Sequence, residues 1–416
     1  MGKTIVDMVL DRFRGSNKAP VSKYSTVQAR AAGQRPDWFV RGLLLAIVIL
    51  LLGFGGGWLG AKTYNDNLQA PSSTAAKQKI ISGESDLISN IATDSGPGVV
   101  SIDVERQVNS QDVFGFGTTQ TQAAAGTGFI INKDGTIVTN RHVVPSGTSS
   151  VSVTLADGTK YDNVKVIGRT NSSSPLDVAF LKITDLKGKI LSPLTLGDSG
   201  KVKVGDKVVA IGNALGQFQN TVTSGIISGF GRDVSASDDG GSGAETLTDL
   251  FQTDAAINAG NSGGPLMNIN NEVIGINTAV AGGAQNIGFA IPINDIKGLI
   301  SSVLKNGQLK QPFLGVRYVS LTDDLAENFN LTVKRGAYIL PGSGSEPSVV
   351  KDSPADKAGL RAADIITQVN DTKIDEKNSL SSVLGRYQVG DTIKMTVIRG
   401  DEHLTLTATL EAAPSN

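Results

Sequence analysis

The chain of 416 residues has no cysteine and only two histidines, His142 and His403. Without cysteine there is no disulfide framework and no thiolate site. With two histidines, a zinc or iron centre would have to be built from carboxylates, and the sequence shows no such ligand cluster. An excess of charge is missing too. The 38 Lys and Arg are balanced by 39 Asp and Glu, which argues against a nucleic-acid binder that relies on phosphate contacts. No metal, other cofactor or nucleic acid is therefore expected.

What is present is a serine in a setting suited to chemistry. Asn258-Ala259-Gly260-Asn261-Ser262-Gly263-Gly264-Pro265-Leu266 puts a hydroxyl on a tight glycine turn ahead of an apolar strand. Gly260 and Gly263 let the backbone approach a ligand closely, and the N–H groups of Gly260 and Ser262 are the natural donors to an oxyanion. A serine nucleophile needs a base. His142 closes the β-branched run Ile137-Val138-Thr139-Asn140-Arg141-His142, at a strand end. His403 lies in the hairpin Arg399-Gly400-Asp401-Glu402-His403 of a later module, so His142 is the candidate. The third member should be a carboxylate that orients the imidazole through Nδ1. Asp177 opens the apolar strand Val178-Ala179-Phe180-Leu181, whereas Asp157, Asp162 and Asp185 sit in more polar surroundings. The order His142, Asp177, Ser262 is that of chymotrypsin, not of subtilisins or α/β-hydrolases.

Thr139-Asn140-Arg141-His142-Val143, Asp177-Val178-Ala179-Phe180-Leu181-Lys182 and Gly260-Asn261-Ser262-Gly263-Gly264-Pro265-Leu266 resemble the three catalytic blocks of the HtrA (Deg) serine proteases. With Phe313-Leu314-Gly315-Val316, the resemblance covers about residues 85 to 411. It implies a mainly β chain, in which a chymotrypsin-like double β-barrel precedes a small α+β PDZ domain. It further implies ATP-independent cleavage of misfolded or unfolded proteins, as in protein quality control and stress response, and a homotrimer as the smallest assembly.

Before these blocks, residues 1–41 form a basic tail, and residues 42–61 carry no charge. At about 1.5 Å per residue this stretch just spans a hydrocarbon core roughly 30 Å thick. Trp38 and Trp58 flank it as interface anchors, and the positive-inside rule leaves the tail in the cytoplasm and everything after Lys62 outside. A cleaved signal peptide is the rival, but its apolar core would follow a much shorter basic region. A single-pass transmembrane helix is expected. Residues 62–84 read as a linker within a polar tether from Tyr64 to about Thr93, with a short helix at its end.

Short β-branched segments separated by turns, from Val99 to Ala290, have the spacing of barrels. They give a protease domain over 85–307, with His142 and Asp177 from the first half and Ser262 from the second. Val108–Ala125 and Asp233–Glu245 read as mobile loops, which by resemblance hold the regulatory positions around the oxyanion turn. The walls beside Ser262, with Ile257, Val280 and Ala281, are small or aliphatic and predict a pocket for Val, Ile or Ala. Ile257 is equally suited to the barrel core. A capped amphipathic helix from Asn294 to Leu304 closes the domain, with Gly307 as its stop.

A PDZ domain is expected over 312–411. In it the N–H groups of Leu314, Gly315 and Val316 form a nest for a peptide C-terminus, and Ser379–Leu384 lines the other side of the groove. Two functional classes remain: a serine endopeptidase, and a membrane-tethered chaperone or scaffold that captures chains without cutting them.

Overall fold

The computed structural model describes residues 37–68, 73–111, 117–171, 174–214, 218–237, 244–258, 260–280, 286–342 and 347–414. The basic tail lies outside them. The chain divides into two units, Met1–Gln78 and Lys79–Asn416.

In the first unit, α1 (Asp37–Leu68) includes the apolar span Arg41–Lys62, 22 residues long. Its leucines and isoleucines are exposed all round, with no polar stripe. That is long and apolar enough to cross a membrane. Where a tether was expected, α1 continues to Leu68 and α2 occupies Ser73–Ser95. Ala75-Ala76-Lys77-Gln78-Lys79 is a run of strong helix formers. Further along, in the second unit, Leu87, Ile88 and Ile91 form an apolar stripe packed on the protease core.

The second unit begins with seven antiparallel strands: β1 (Val99–Gln111), β2 (Gly117–Ile130), β3 (Thr136–Thr139), β4 (Thr148–Leu155), β5 (Lys160–Tyr161), β6 (Lys165–Arg169) and β7 (Ala179–Lys182). Their order in the sheet is β5-β4-β1-β2-β3-β7-β6. Six more close a barrel in the order β10-β13-β12-β11-β8-β9: β8 (Lys207–Ala214), β9 (Phe218–Ser237), β10 (Ala244–Thr253), β11 (Pro265–Asn268), β12 (Val273–Val280) and β13 (Gly288–Pro292).

Alternation along strands explains how the halves join. Ile130, Ile137 and Leu181 point into the first core, while their neighbours Phe129, Val138 and Phe180 point the other way. There they meet Val209, Ile211, Met267 and Ile276 of the second barrel. The central strands are thus buried on both faces, and this inter-barrel layer supports the cleft.

The two segments expected as loops are largely hairpin arms. The β1–β2 register runs out to Gln111↔Gly117, and β9–β10 runs to Ser237↔Ala244. Polar composition concealed threonine-rich strand sequence such as Thr118-Thr119-Gln120-Thr121. The arm tips, 112–116 and 238–243, lie outside the described residues.

A 3₁₀ turn (Ile293–Ile296) precedes α3 (Lys297–Asn306), which stops at Gly307 in the left-handed region, φ 63°. The expected cap at Asn294 is absent; its amide instead donates to Asp198, Nδ2–Oδ1 2.7 Å. Next come β14 (Pro312–Phe313), β15 (Tyr318–Ser320), α4 (Asp323–Asn328), β16 (Ala337–Ile339), α5 (Pro354–Ala358), β17 (Ile365–Val369), β18 (Thr372–Lys373), α6 (Leu380–Leu384), β19 (Thr392–Arg399), β20 (Glu402–Thr409) and β21 (Glu411–Ala412). They enclose their own core around Leu314, Ile339, Ile366, Val383 and Met395. This module packs on the barrels through α6, where Gly298 N–H donates to Gly385 O at 3.0 Å.

Candidate active site

Strand register brings the first two candidates together. Thr139, the last residue of β3, pairs with Ala179, the first of β7. Residues just after β3 and just before β7 therefore emerge side by side. His142 Nδ1 lies 2.5 Å from Asp177 Oδ2, and the His142 N–H donates to Asp177 Oδ1 at 3.0 Å. Asn140 Nδ2 holds the Asp177 carbonyl at 2.8 Å, and Arg141 Nε stands 4.0 Å from Oδ1. Asp177 is 2% exposed. Burial pushes its carboxyl up, but His142, Arg141 and the His142 amide outweigh that and leave it below the usual carboxylate range. An ionised carboxylate at Nδ1 fixes the tautomer whose Nε2 is free of a proton and able to act as a base.

Ser262 reaches the same place from the second barrel. Its turn enters β11 through Gly263 at φ 83°, where a Cβ would sit 2.2 Å from Thr127 O and 2.4 Å from Thr139 Oγ1. Only glycine fits, and the fit presses the serine turn against the ends of β2 and β3. Thr127 N–H donates to Ser262 O at 3.0 Å, and Thr127 Oγ1 donates to Gly260 O at 2.8 Å.

Thr278, which the sequence reading did not single out, joins the set. Its Oγ1 donates to Asp177 Oδ2 at 3.0 Å, and its carbonyl lies 3.4 Å from Ser262 Oγ. One residue of β12 thus touches both the carboxylate and the hydroxyl. Nothing local in the sequence marks a threonine sixteen positions after the serine; only the folded barrel selects it.

The Asn258 carbonyl accepts from Asn261 N–H at 2.9 Å, Ser262 N–H at 3.1 Å and Ser262 Oγ at 3.2 Å. A carbonyl oxygen therefore engages Ser262 N–H, one of the two donors expected at the oxyanion site. Gly260 accepts at its carbonyl from Thr127, as above. Ala259 between them lies outside the described residues.

Of the expected pocket residues, Ile257 is 2% exposed and packs with Ala255, Leu266 and Ala290 in the second barrel core. Val280 ends β12; its side chain and Ala281 lie outside the described residues. Among the described residues, no group of three or more His, Asp or Glu is placed to hold a metal ion.

The second module presents a groove of about 520 Å³ bounded by Leu314, Gly315 and Val316 on one side and Leu380 and Leu384 on the other. Gly315 has φ 91°, and a Cβ there would meet Ser353 Cβ at 2.4 Å. Residues of the barrels, Ser174 to Leu176 among them, complete the wall.

Comparison with known proteins agrees with this geometry. A trypsin-like peptidase domain matches residues 126–276, and a PDZ domain matches residues 312–410. The chain is 36% identical to HhoA of Synechocystis over 394 residues, covering 89% of this chain and 96% of that one. It is 39% identical to the periplasmic serine endoprotease DegP of Escherichia coli over 306 residues, 73% of this chain and 60% of DegP. It is 38% identical to the probable periplasmic serine endoprotease DegP-like of Brucella suis over 296 residues, 70% of this chain; the match spans about half of that relative, 53%. Among solved structures, the HtrA-type protease AlgW with a decapeptide superposes with a TM-score of 0.55 at 31% identity. That match covers 79% of this chain and 99% of AlgW.

Proposed function

Given that this chain belongs to the HtrA (Deg) family of serine proteases, we propose that it is a membrane-anchored, ATP-independent serine endopeptidase. Its substrates are unfolded or misfolded proteins outside the cytoplasm. In this reading His142 takes the Ser262 proton, Asp177 orients the imidazole and stabilises its charged form, and Ser262 Oγ attacks the scissile carbonyl. Water then releases the acyl-enzyme. The N–H groups of Gly260 and Ser262 receive the oxyanion once the Asn258 carbonyl turns away. The observation that carries the proposal is Thr278, bonded at its hydroxyl to Asp177 and at its carbonyl to Ser262.

The engaged Ser262 N–H favours a resting state that binds before it cuts, so a chaperone-like holding role is the second reading. The anchor is α1, with the N-terminus cytoplasmic and both folded modules extracytoplasmic. Small aliphatic residues at P1, peptide C-termini at Leu314–Val316 and a homotrimer belong to the same proposal. A fluorophosphonate should label wild-type protein at Ser262 and leave Ser262→Ala and His142→Ala unlabelled. Mass spectrometry of a digested denatured substrate reads the P1 preference. A wild type that stays unlabelled with and without PDZ-binding peptide, yet holds unfolded chains, supports the second reading.

A further inference from the structure

β12 runs beside the turn that carries Ser262, and its Asn277 is wholly buried. The backbone of Asn277 carries the β11–β12 ladder past the strand end and into the turn. Its N–H donates to Gly264 O at 2.9 Å, and its carbonyl accepts from Gly263 N–H at 2.8 Å. Those two bonds complete the ladder, so a strand at this position needs no side-chain amide. Yet Asn277 Nδ2 also donates to Pro265 O at 3.1 Å and to Asn261 O at 3.4 Å. One residue thus bonds to positions 261, 263, 264 and 265, on both sides of the serine.

The amide is kept for its donor. Two carbonyls face one end of it, which places Nδ2 there and leaves Oδ1 buried without a hydrogen-bond partner. An unpaired buried oxygen is unfavourable, and an apolar side chain of the same shape would avoid it. What the donor holds is Asn261 O. The Asn261 carbonyl and the Ser262 N–H belong to one planar trans peptide unit, in which the two bonds point in opposite directions. Whatever holds Asn261 O therefore aims Ser262 N–H. Gly264 N–H reaches the same oxygen at 2.9 Å. The Asn261 side chain braces the segment before it, accepting from Asn258 N–H at 2.9 Å and donating to Ala256 O at 2.9 Å. A β-bulge follows at once: Asn277 opposes Ala290 and Ala279 opposes Phe289, leaving Thr278 as the extra residue. Bulges re-aim strand side chains, and here two consecutive residues serve one site.

We propose that Asn277 is a positioning residue for the nucleophile turn, whose side-chain amide sets the direction in which Ser262 N–H meets the oxyanion. The inference rests on the protease reading above. Thr278 serves the imidazole–carboxylate pair and Asn277 serves the oxyanion, so the two neighbours divide the reaction between them.

The test uses the full chain in detergent with two variants. Asn277→Leu is close in volume and has no donor; Asn277→Asp keeps the shape and exchanges the amide for a carboxyl. Steady-state kcat and KM are measured across pH on a peptide taken from the wild-type digest of a denatured protein. A peptide boronic acid with the same P1 residue reports on the oxyanion position, because its tetrahedral adduct on Ser262 presents an oxygen there. In Asn277→Leu, kcat falls roughly 30- to 100-fold and KM stays within about twofold of wild type. Boronate affinity and the rate of fluorophosphonate labelling fall in proportion to kcat/KM. The acid limb of the pH profile does not move, since the bonds of Asn277 run to the turn and not to His142 and Asp177. In Asn277→Asp, a buried carboxyl facing two carbonyl oxygens takes up a proton as pH falls and donates in place of the amide. Its kcat relative to wild type therefore rises about tenfold between about pH 8 and about pH 6, a rescue that a purely structural role does not produce. An Asn277→Leu protein with wild-type kcat and boronate affinity overturns the proposal, as does a loss confined to KM or accompanied by a moved limb. An Asn277→Asp protein whose ratio to wild type is constant with pH does the same. If circular dichroism shows that neither variant folds, the residue is structural and the proposal falls. A wild type that no fluorophosphonate labels removes the protease reading, and this inference with it.

Discussion

Where the PDZ module meets the second barrel, buried acids are brought together, and their titration has a calculable consequence. Asp249 is 7% exposed; it accepts a hydrogen bond from Ser379 Oγ, and its N–H donates to Asp233 Oδ1 at 3.2 Å. Burial, with Asp295 and Asp233 adding to it against the Ser379 hydroxyl, pushes its carboxyl up to about 7. Asp295, 1% exposed, is pushed up to about 6 by burial despite Arg386 Nη2 at 3.4 Å.

A folded-state pKa above the unfolded 3.8 means that the native state binds the proton more tightly. The contribution of Asp249 is fully present below about pH 4 and is lost as pH rises through about 7. From 3.8 to about 7, the cost of carrying the charge is about 4 kcal/mol. Asp249→Asn removes that charge and keeps an acceptor for Ser379, and asparagine tolerates the φ of 62° found there. Urea unfolding of the full chain, followed by circular dichroism at about pH 5 and about pH 8.5, reads the difference. The variant should be more stable by about 4 kcal/mol at the higher pH and by only about 1.5 kcal/mol at the lower one. A gap that does not change with pH, or a variant weaker at high pH, refutes the reasoning.

Three further outcomes follow from the site and the core. Thr278→Val removes a hydrogen bond to a buried carboxylate worth about 1.5 to 3 kcal/mol, so kcat/KM should fall roughly 10- to 100-fold in steady-state assays. Asp177→Asn leaves the imidazole in the wrong tautomer; kcat should drop about 10⁴-fold while the PDZ groove still binds peptide. Phe180→Ala empties a fully buried position in the inter-barrel layer and should cost about 3 to 5 kcal/mol in a denaturant titration, with loss of activity at mild urea.

The three candidate catalytic residues were legible in the sequence because their chemistry restricts both residue type and context. A hydroxyl on a glycine turn, a histidine at a strand end and an acid opening an apolar strand leave few alternatives in a chain with two histidines. The strands were legible as short β-branched runs separated by turns. The orientation of the Asn258 carbonyl was not legible, because peptide-plane direction in a glycine turn is set by contacts from β2 and β12. Composition misled at the two arms, where polar side chains hid regular backbone pairing. Thr278 and Asn277 act through partners 101 and 16 residues away, and separations of that size leave no local pattern to read.

Thr278 has one more implication. Because a single residue of the second barrel engages both the acid from the first and the hydroxyl from its own, sliding of one half past the other separates the two contacts together. A damaged or partly unfolded copy should therefore disarm itself before its cleft loosens enough to attack neighbouring proteins indiscriminately. On the proposed reading, hydrolytic competence becomes a readout of structural integrity.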